Sequence, residues 1–398
     1  VDVTLNPDFN QVESDQPQVT VNQRFEVFFP EKRPFFLENA NFFRSPFNLV
    51  FTRRIADPQF GVRLTGKTGP YALGFMLMDD EAPGKRVPTG DPLHDRRAVF
   101  GIARISRDIF QQSNIGLIYT DREFEGSYNR VGGADGRIKF NQNWTTGFQG
   151  VFSTSKPLEG SSRTGSAFSL QVDRSGRQLN THTHYQEISP DFRTRVGFVP
   201  RTDFRDFHNF ISYSFRPEKK FLISWGPEFF VQRLWDYDGT RLDESIEGSL
   251  EWQFTGQTHF EVNYLNRRER LRPVDFPILQ GDKDFNTNQW VIEFETSFVD
   301  EFRVESDVGW GNTINFVPVA RQEPHPADML AAELEVNLQP ITPFRIDNDY
   351  IFFQLNDEET GDQILKNQIL RSRWNWQFNR KLSLRLIFQY DVTQTNSA

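Results

Sequence analysis

From about residue 60 onward, apolar and polar residues exchange places with a period of two. Around Ile246 the even positions are Ile246, Gly248, Leu250, Trp252 and Phe254, and the odd ones are Ser245, Glu247, Ser249, Glu251 and Gln253. Phe260, Val262 and Tyr264 then face His259, Glu261 and Asn263, and the pattern recurs at Trp290 to Phe298, Phe302 to Trp310, Leu334 to Leu338 and Leu382 to Tyr390. Successive side chains on a strand point to opposite faces, so each segment predicts a strand with one apolar and one hydrated face. The connections alternate as well. Short ones are expected at Lys67–Pro70, Arg174–Arg177, Pro217–Lys220, Thr255–Gln257, Val299–Glu301, Pro340–Thr342 and Asn379–Lys381. Longer polar stretches fall near 79–95, 121–135, 156–165, 189–206, 269–286 and 313–328.

An antiparallel meander with tight turns at one end and long loops at the other predicts an all-β chain: a large antiparallel transmembrane β-barrel of about 18–20 strands, with a non-barrel segment at its N-terminus. A soluble sandwich or propeller also alternates, but does not sort its loops by length. The first half is noisier. Tyr71, Leu73, Phe75 and Leu77 alternate with Ala72, Gly74, Met76 and Met78, and Ile115, Leu117 and Tyr119 with Gly116 and Thr120. Small residues on that inner face would let another segment approach closely.

Composition fits this reading. The chain has 398 residues with 41 Phe, 8 Trp and 9 Tyr against 3 Met, on a negative mean hydropathy. Aromatic excess on a hydrophilic average suits aromatic girdles around a wet interior. No run of eighteen apolar residues predicts a membrane helix. The absence of cysteine removes disulfides, thiolate metal sites and a cysteine nucleophile. A net charge of -9 without a cationic cluster argues against nucleic acid as a partner. An exported barrel needs a signal peptide, and Val1-Asp2-Val3 does not begin one, so a processed or truncated end is expected there.

Residues 1–47 depart from the alternation and are expected to form a plug or a periplasmic tether, with 48–398 as the barrel. Within them lie Pro30, Glu31, Lys32, Arg33, Pro34, Phe35 and Phe36, read as a stiff non-helical connector with charges between aromatic pairs. Leu5 to Asp15 and Phe28 to Glu38 resemble the "VNPDFSQVEAD" and "FFPEKRPFFLE" stretches of an uncharacterised family of Gram-negative outer-membrane barrels. Thr52 to Ile55, Leu64 to Lys67, Ile188 to Phe192 and Val196 to Asp203 extend the resemblance. It implies an outer-membrane location, outer-membrane lipid as a partner, and no assigned activity. That family usually carries an upstream module similar to family-9 carbohydrate-binding modules, and a terminal aromatic on its last strand. Neither is present here, so sugar binding is not transferred and a closing C-terminal hairpin is expected to be missing.

Candidate chemistry concentrates on the hydrated face of the later strands. Glu247, Glu251, Glu261, Glu293, Glu295, Glu305, Asp307, Glu333 and Glu335 form an acidic arc beside Arg303, Arg345, Asp347, Asp349, Arg371, Arg373 and Arg385. As lumen-lining residues they predict a conduit favouring cations. The alternative is a non-conducting scaffold whose charges pair across strands, docking a carbohydrate-binding, periplasmic, surface or electron-transfer partner. Asp282, Asp284, Asn286 and Asn288 alternate in an expected loop like calcium ligands, without the glycine and distal Glu such loops need. His182 and His184 share a strand face, but no third metal ligand is identifiable from the sequence. No G-x-S-x-G elbow or phosphate-binding glycine pattern is present, so no enzyme and no cofactor are expected.

Overall fold

The computed structural model describes residues 1–7, 15–217, 219–316 and 323–396. Parts of the stretch Leu5 to Asp15, the turn Pro217–Lys220, the loop 313–328 and the end Thr395–Ala398 therefore lie outside the described residues. The rest forms one antiparallel sheet of 19 strands. β1 (Asp2–Leu5) pairs with β2 (Phe60–Thr68), followed by β3 (Tyr71–Asp80), β4 (Ala98–Ile109), β5 (Ser113–Phe124), β6 (Ser127–Lys139), β7 (Trp144–Lys156), β8 (Arg163–Ser175) and β9 (Leu179–Ile188). The meander continues through β10 (Phe204–Tyr213), β11 (Leu222–Trp235), β12 (Arg241–Phe254), β13 (Thr258–Leu271), β14 (Lys283–Val299), β15 (Phe302–Asn315), β16 (His325–Ile341), β17 (Phe344–Asp357), β18 (Gln363–Gln377) and β19 (Ser383–Thr395). Each strand pairs with the next in sequence.

The turns after β2, β8, β12, β14, β16 and β18 are tight, as the sequence predicts, and long connections follow β3, β9 and β13. One expected long loop is absent. Residues 121–135 are mostly strand, and β5 and β6 meet through Glu125 and Gly126 alone, both at positive φ (46° and 82°). That is the geometry of a two-residue hairpin whose twist matches its strands. The polar run misleads because Thr120, Ser127 and Asn129 are buried within the sheet's interior instead of marking a loop.

Two boundaries also move. Asp2–Leu5, expected outside the sheet, pairs with β2 in register from Asp2 opposite Arg63 to Leu5 opposite Phe60. Residues 48–59, expected in the barrel, precede β2. Because β1 and β2 are adjacent and antiparallel, residues 6–59 are the connection between neighbouring strands, leaving and rejoining the sheet at its long-loop end.

This connection shows that the sheet curls. Ala56 and Asp57 donate backbone N–H groups to the Asp80 carboxylate of β3 (3.3 and 2.7 Å). Three residues earlier, Arg53 pairs with Asp15 at 2.6 Å, and the Asp15 carbonyl accepts from Arg371 of β18 at 2.7 Å. In a flat sheet, at about 4.8 Å per strand, β3 and β18 would be about 70 Å apart. The bridge of a few residues and two arginine side chains reaches no more than about 30 Å.

The same segment explains the noisy first half. Phe36, Phe43 and Ile55 bury against Met76, Met78, Phe100 and Ile102, while Phe47 and Leu49 bury against Ile118, Val131 and Val151. The inner positions of β3 to β7 are thus a second core face, and both faces of these strands are apolar for different reasons. Burying each of these large side chains is worth about 1.5–3 kcal/mol. Gly74 is small because Phe43 lies over it: a Cβ there would come within 2.9 Å of the ring.

Pro34 to Leu37 is a turn of α-helix (α1), where the sequence reading expected non-helical backbone. Pro34 occupies the first helical turn, where its fixed φ suits the helix and no donor is lost. The preceding charges are mutually satisfied. Arg33 donates to Glu31 (2.8 and 2.6 Å) and to the carbonyls of Ile55 (2.6 Å) and Thr52 (2.8 Å), and its guanidinium lies over Phe36. Thr52 donates its hydroxyl to Glu31 at 2.7 Å. Burial alone would raise the Glu31 carboxyl, but the bonds from Arg33 and Thr52 outweigh it and hold it below 4.5. A depressed carboxyl stabilises the fold above its unfolded value, and that contribution disappears as pH falls through the folded value. Glu31→Gln is therefore expected to lower the melting temperature at pH 7, with the gap from wild type closing below about pH 4. A gap that stays constant down to pH 3 would show that the charge plays no part.

Candidate functional site

The registers bring the acidic residues into two rows. Glu251, Glu261, Glu293, Asp307 and Glu333 are directly opposite one another across β12 to β16. Two residues along on the same face, Glu295, Glu305, Glu335 and Asp349 form a second row across β14 to β17, ending against Arg371 of β18. Directly opposed side chains on a sheet face stand about 5 Å apart at Cβ, and like charges there are destabilising. A chain built only for stability would alternate the signs.

Compensation is partial. His259 sits between Glu251 and Glu261, at 3.4 Å from each, and Arg303 reaches Glu295 (2.9 Å) and Glu305 (3.1 Å). Asn263 donates to Glu293 at 3.0 Å, and Arg267 lies 3.4 Å from Glu247. Asp307 and Glu333 have no cationic partner among the described residues. Glu228 of β11 adds to the belt beside Glu251 and Glu261. The sequence reading missed it because Gly226 and Pro227 interrupt the alternation there.

The neighbouring arc is mixed, as expected. Arg345 pairs with Asp347 at 2.6 Å, and Asp347 stands opposite Arg373. Arg371 is buried and turned to the Asp15 carbonyl, so it holds the inner segment to β18. Arg385, on β19, is exposed and donates to Asn375 at 2.9 Å.

The alternating Asp282, Asp284, Asn286 and Asn288 are not a loop cage. Asp284, Asn286 and Asn288 lie on β14, whose first residue is Lys283. Asp284 is held by Arg270 (2.8 Å) and Arg268 (2.5 Å). Asn288 accepts from Tyr264 and Asn266. Side chains of the neighbouring β13 have used the oxygens of Asp284 and Asn288 that a loop would have offered to a cation.

His182 and His184 acquire a neighbour that the sequence did not reveal. His208 of β10 is directly opposite His184, and the three rings sit together on the inner face. The signal was present in principle: a His-x-His strand followed by a third histidine on the next strand. Only the register, set by the connection 189–203, brings them level.

A domain of unknown function (DUF5916) matches residues 1–65, the stretch holding β1, the inner segment and the start of β2. No curated protein matches the chain. Among solved structures, OccAB2 of Acinetobacter baumannii is similar over 83% of this chain and 91% of its own, at 7% identity and a TM-score of 0.46. The ferric yersiniabactin uptake receptor FyuA of Yersinia pestis is similar at 11% identity and a TM-score of 0.44, over 85% of this chain. This chain spans 60% of that receptor's length. OpdQ of Pseudomonas aeruginosa is similar over 84% of this chain and 95% of its own, at 9% identity and a TM-score of 0.41.

Proposed function

We propose that this chain is an outer-membrane β-barrel of a Gram-negative bacterium, of the "FFPEKRPFFLE" type. In this reading it conducts solutes through a partly plugged passage that favours cations. Its outer face supports the membrane. On β14 the exposed apolar residues run from Trp290 to Phe298, about 27 Å along the strand and about 20 Å along the normal once the strand tilts. Such a band is an aggregation liability in water and covers most of the roughly 25 Å height of a barrel's lipid-facing belt. Among the described residues no helix is long and apolar enough to cross, and a barrel needs none.

The observation that carries the conducting role is the directly opposed carboxylate row across β12 to β16. Its repulsion is relieved by mobile cations, and a wall of one sign selects ions of the other. Residues 15–59 form the plug. Residues 36–55 seal the apolar inner face of β3 to β7, residues 15–24 cross to Asp243 of β12, Glu269 of β13 and Arg371 of β18, and the acidic rows between these contacts are left as the wet side. The scaffold reading draws on the extent of that cover and predicts a silent protein.

Planar-bilayer recording under a salt gradient separates the two. The expected result is a stable cation-preferring current, with the preference reduced several-fold when Glu293 and Glu333 are changed to Gln and Asp307 to Asn. A silent protein, or one whose ion preference survives the change, would overturn the conduit.

A further inference from the structure

We propose that His182, His184 and His208 form a binding site for a divalent transition-metal ion of the zinc, nickel or copper class on the inner wall at β9 and β10. One ring nitrogen from each of the three lies within 4.8 Å of the others. Around a tetrahedral ion with bonds of about 2.05 Å, nitrogens stand about 3.3 Å apart, so the rings need to close by at most about 1.5 Å. Imidazole is the donor these ions share, and no thiolate competes, since the chain has no cysteine.

The surroundings supply a second, independent argument. His182 Nδ1 is 2.5 Å from the Asp173 carboxylate of β8, and His208 Nδ1 is 3.0 Å from the Asp206 carboxylate of β10. A carboxylate on Nδ1 fixes the tautomer with Nε2 unprotonated and makes that nitrogen a better donor, the arrangement found behind metal-binding histidines. Ser169 meets His184 Nε2 at 2.8 Å, which leaves Nδ1 of that ring uncommitted. Asp206 is itself anchored. Gln232 donates to one of its oxygens (3.0 Å) and Gln186 to the other (3.3 Å), and the residue is 1% exposed. Two carboxylates behind three neutral imidazoles balance the charge of one divalent cation.

A role in packing alone does not require this. Three imidazoles on one strand pair would be satisfied by water or a hydroxyl on each ring, and two ordered carboxylates would not be needed on the far sides. The ligands come from two strands and the supporting carboxylates from β8 and β10, so a bound ion would clip β8, β9 and β10 together. Three protein ligands leave a fourth position for water or a small anionic ligand from the interior.

The test uses the full chain in detergent, with Zn²⁺ measured by competition against a chromogenic chelator. The expected result is one ion per chain bound at micromolar concentration or tighter, weakened at least tenfold by His208→Ala and by His182→Ala. Asp206→Asn should weaken it about 10-fold to 100-fold while keeping the ligand set. His94→Ala, in the connection after β3, should leave it unchanged. Where a variant fails to fold, Cu²⁺ electron paramagnetic resonance on the unaltered protein decides the matter. Hyperfine coupling to two or three imidazole nitrogens is the expected signature. Absence of zinc binding at about 0.1 mM, a hundredfold above the micromolar affinity expected, binding unchanged in folded His208→Ala, or a copper spectrum without imidazole nitrogen would each overturn the proposal.

Discussion

Arg63→Leu is expected to destabilise the protein by about 1.5–3 kcal/mol, the net worth of hydrogen bonds made by a charged donor. The Arg63 side chain is 1% exposed, yet it reaches three parts of the chain. It donates to Asp2 of β1 at 2.7 and 3.1 Å, to the Glu38 carboxylate at 3.0 Å, and to the backbone carbonyls of Phe35 and Glu38 at the end of α1. Its guanidinium also lies 5.0 Å from the Phe35 ring. It thus ties β1, β2 and the inner segment together through one side chain. Leucine fills much of the volume and satisfies none of the oxygens. Arg63→Lys should lose less, but more than a surface charge would, because a single ammonium does not reproduce the planar fork. Denaturant unfolding followed by tryptophan fluorescence measures both, and a midpoint for Arg63→Leu equal to wild type would show that the inner segment is held elsewhere.

The contrast between the two halves explains what the sequence reveals and what it hides. On β12 to β16 the inner face carries charged and amide side chains, so period-two alternation appears directly in the residue order, and the acidic wall with it. On β3 to β7 the inner face meets Phe36, Phe43, Phe47 and Leu49 from a distant stretch, and the alternation is masked by a second apolar set. The irregular pattern was itself the sign of a covered face, and Gly74 beneath Phe43 shows why small residues accompany it. The strand β1 was illegible for another reason: four residues are too few to display a period. His208 and the loss of the apparent loop at 282–288 both depend on register, which the order of residues does not state.

The second large effect concerns the passage. The inner segment is clipped to the connection between β9 and β10 by a short two-way backbone contact: Phe198 N–H donates to Asn48 and Phe51 N–H donates to Val196, each at 2.8 Å. Phe28, Phe51 and Phe198 pack their rings around it at 5.1–5.3 Å between centroids, with Arg54 over two of them. Gly197 lies in the middle with no room to spare. A Cβ there would run into the Asn48 carbonyl oxygen and come within 2.8 Å of the Leu49 Cα, both backbone atoms that cannot rotate away. Gly197→Val should therefore part the clip, at a cost of about 1–3 kcal/mol for overpacking. If residues 15–59 obstruct the passage, loosening them at this point should raise single-channel conductance several-fold and make a reporter cysteine at Met76 accessible to a thiol reagent. The chain's lack of native cysteine makes that labelling unambiguous. Labelling without a change in current would mean that the segment moves but does not gate. An unaltered current with Met76 still protected would mean that the hold on the segment lies with Arg63 and the Glu31–Arg33 pair, on the opposite side of the buried phenylalanines.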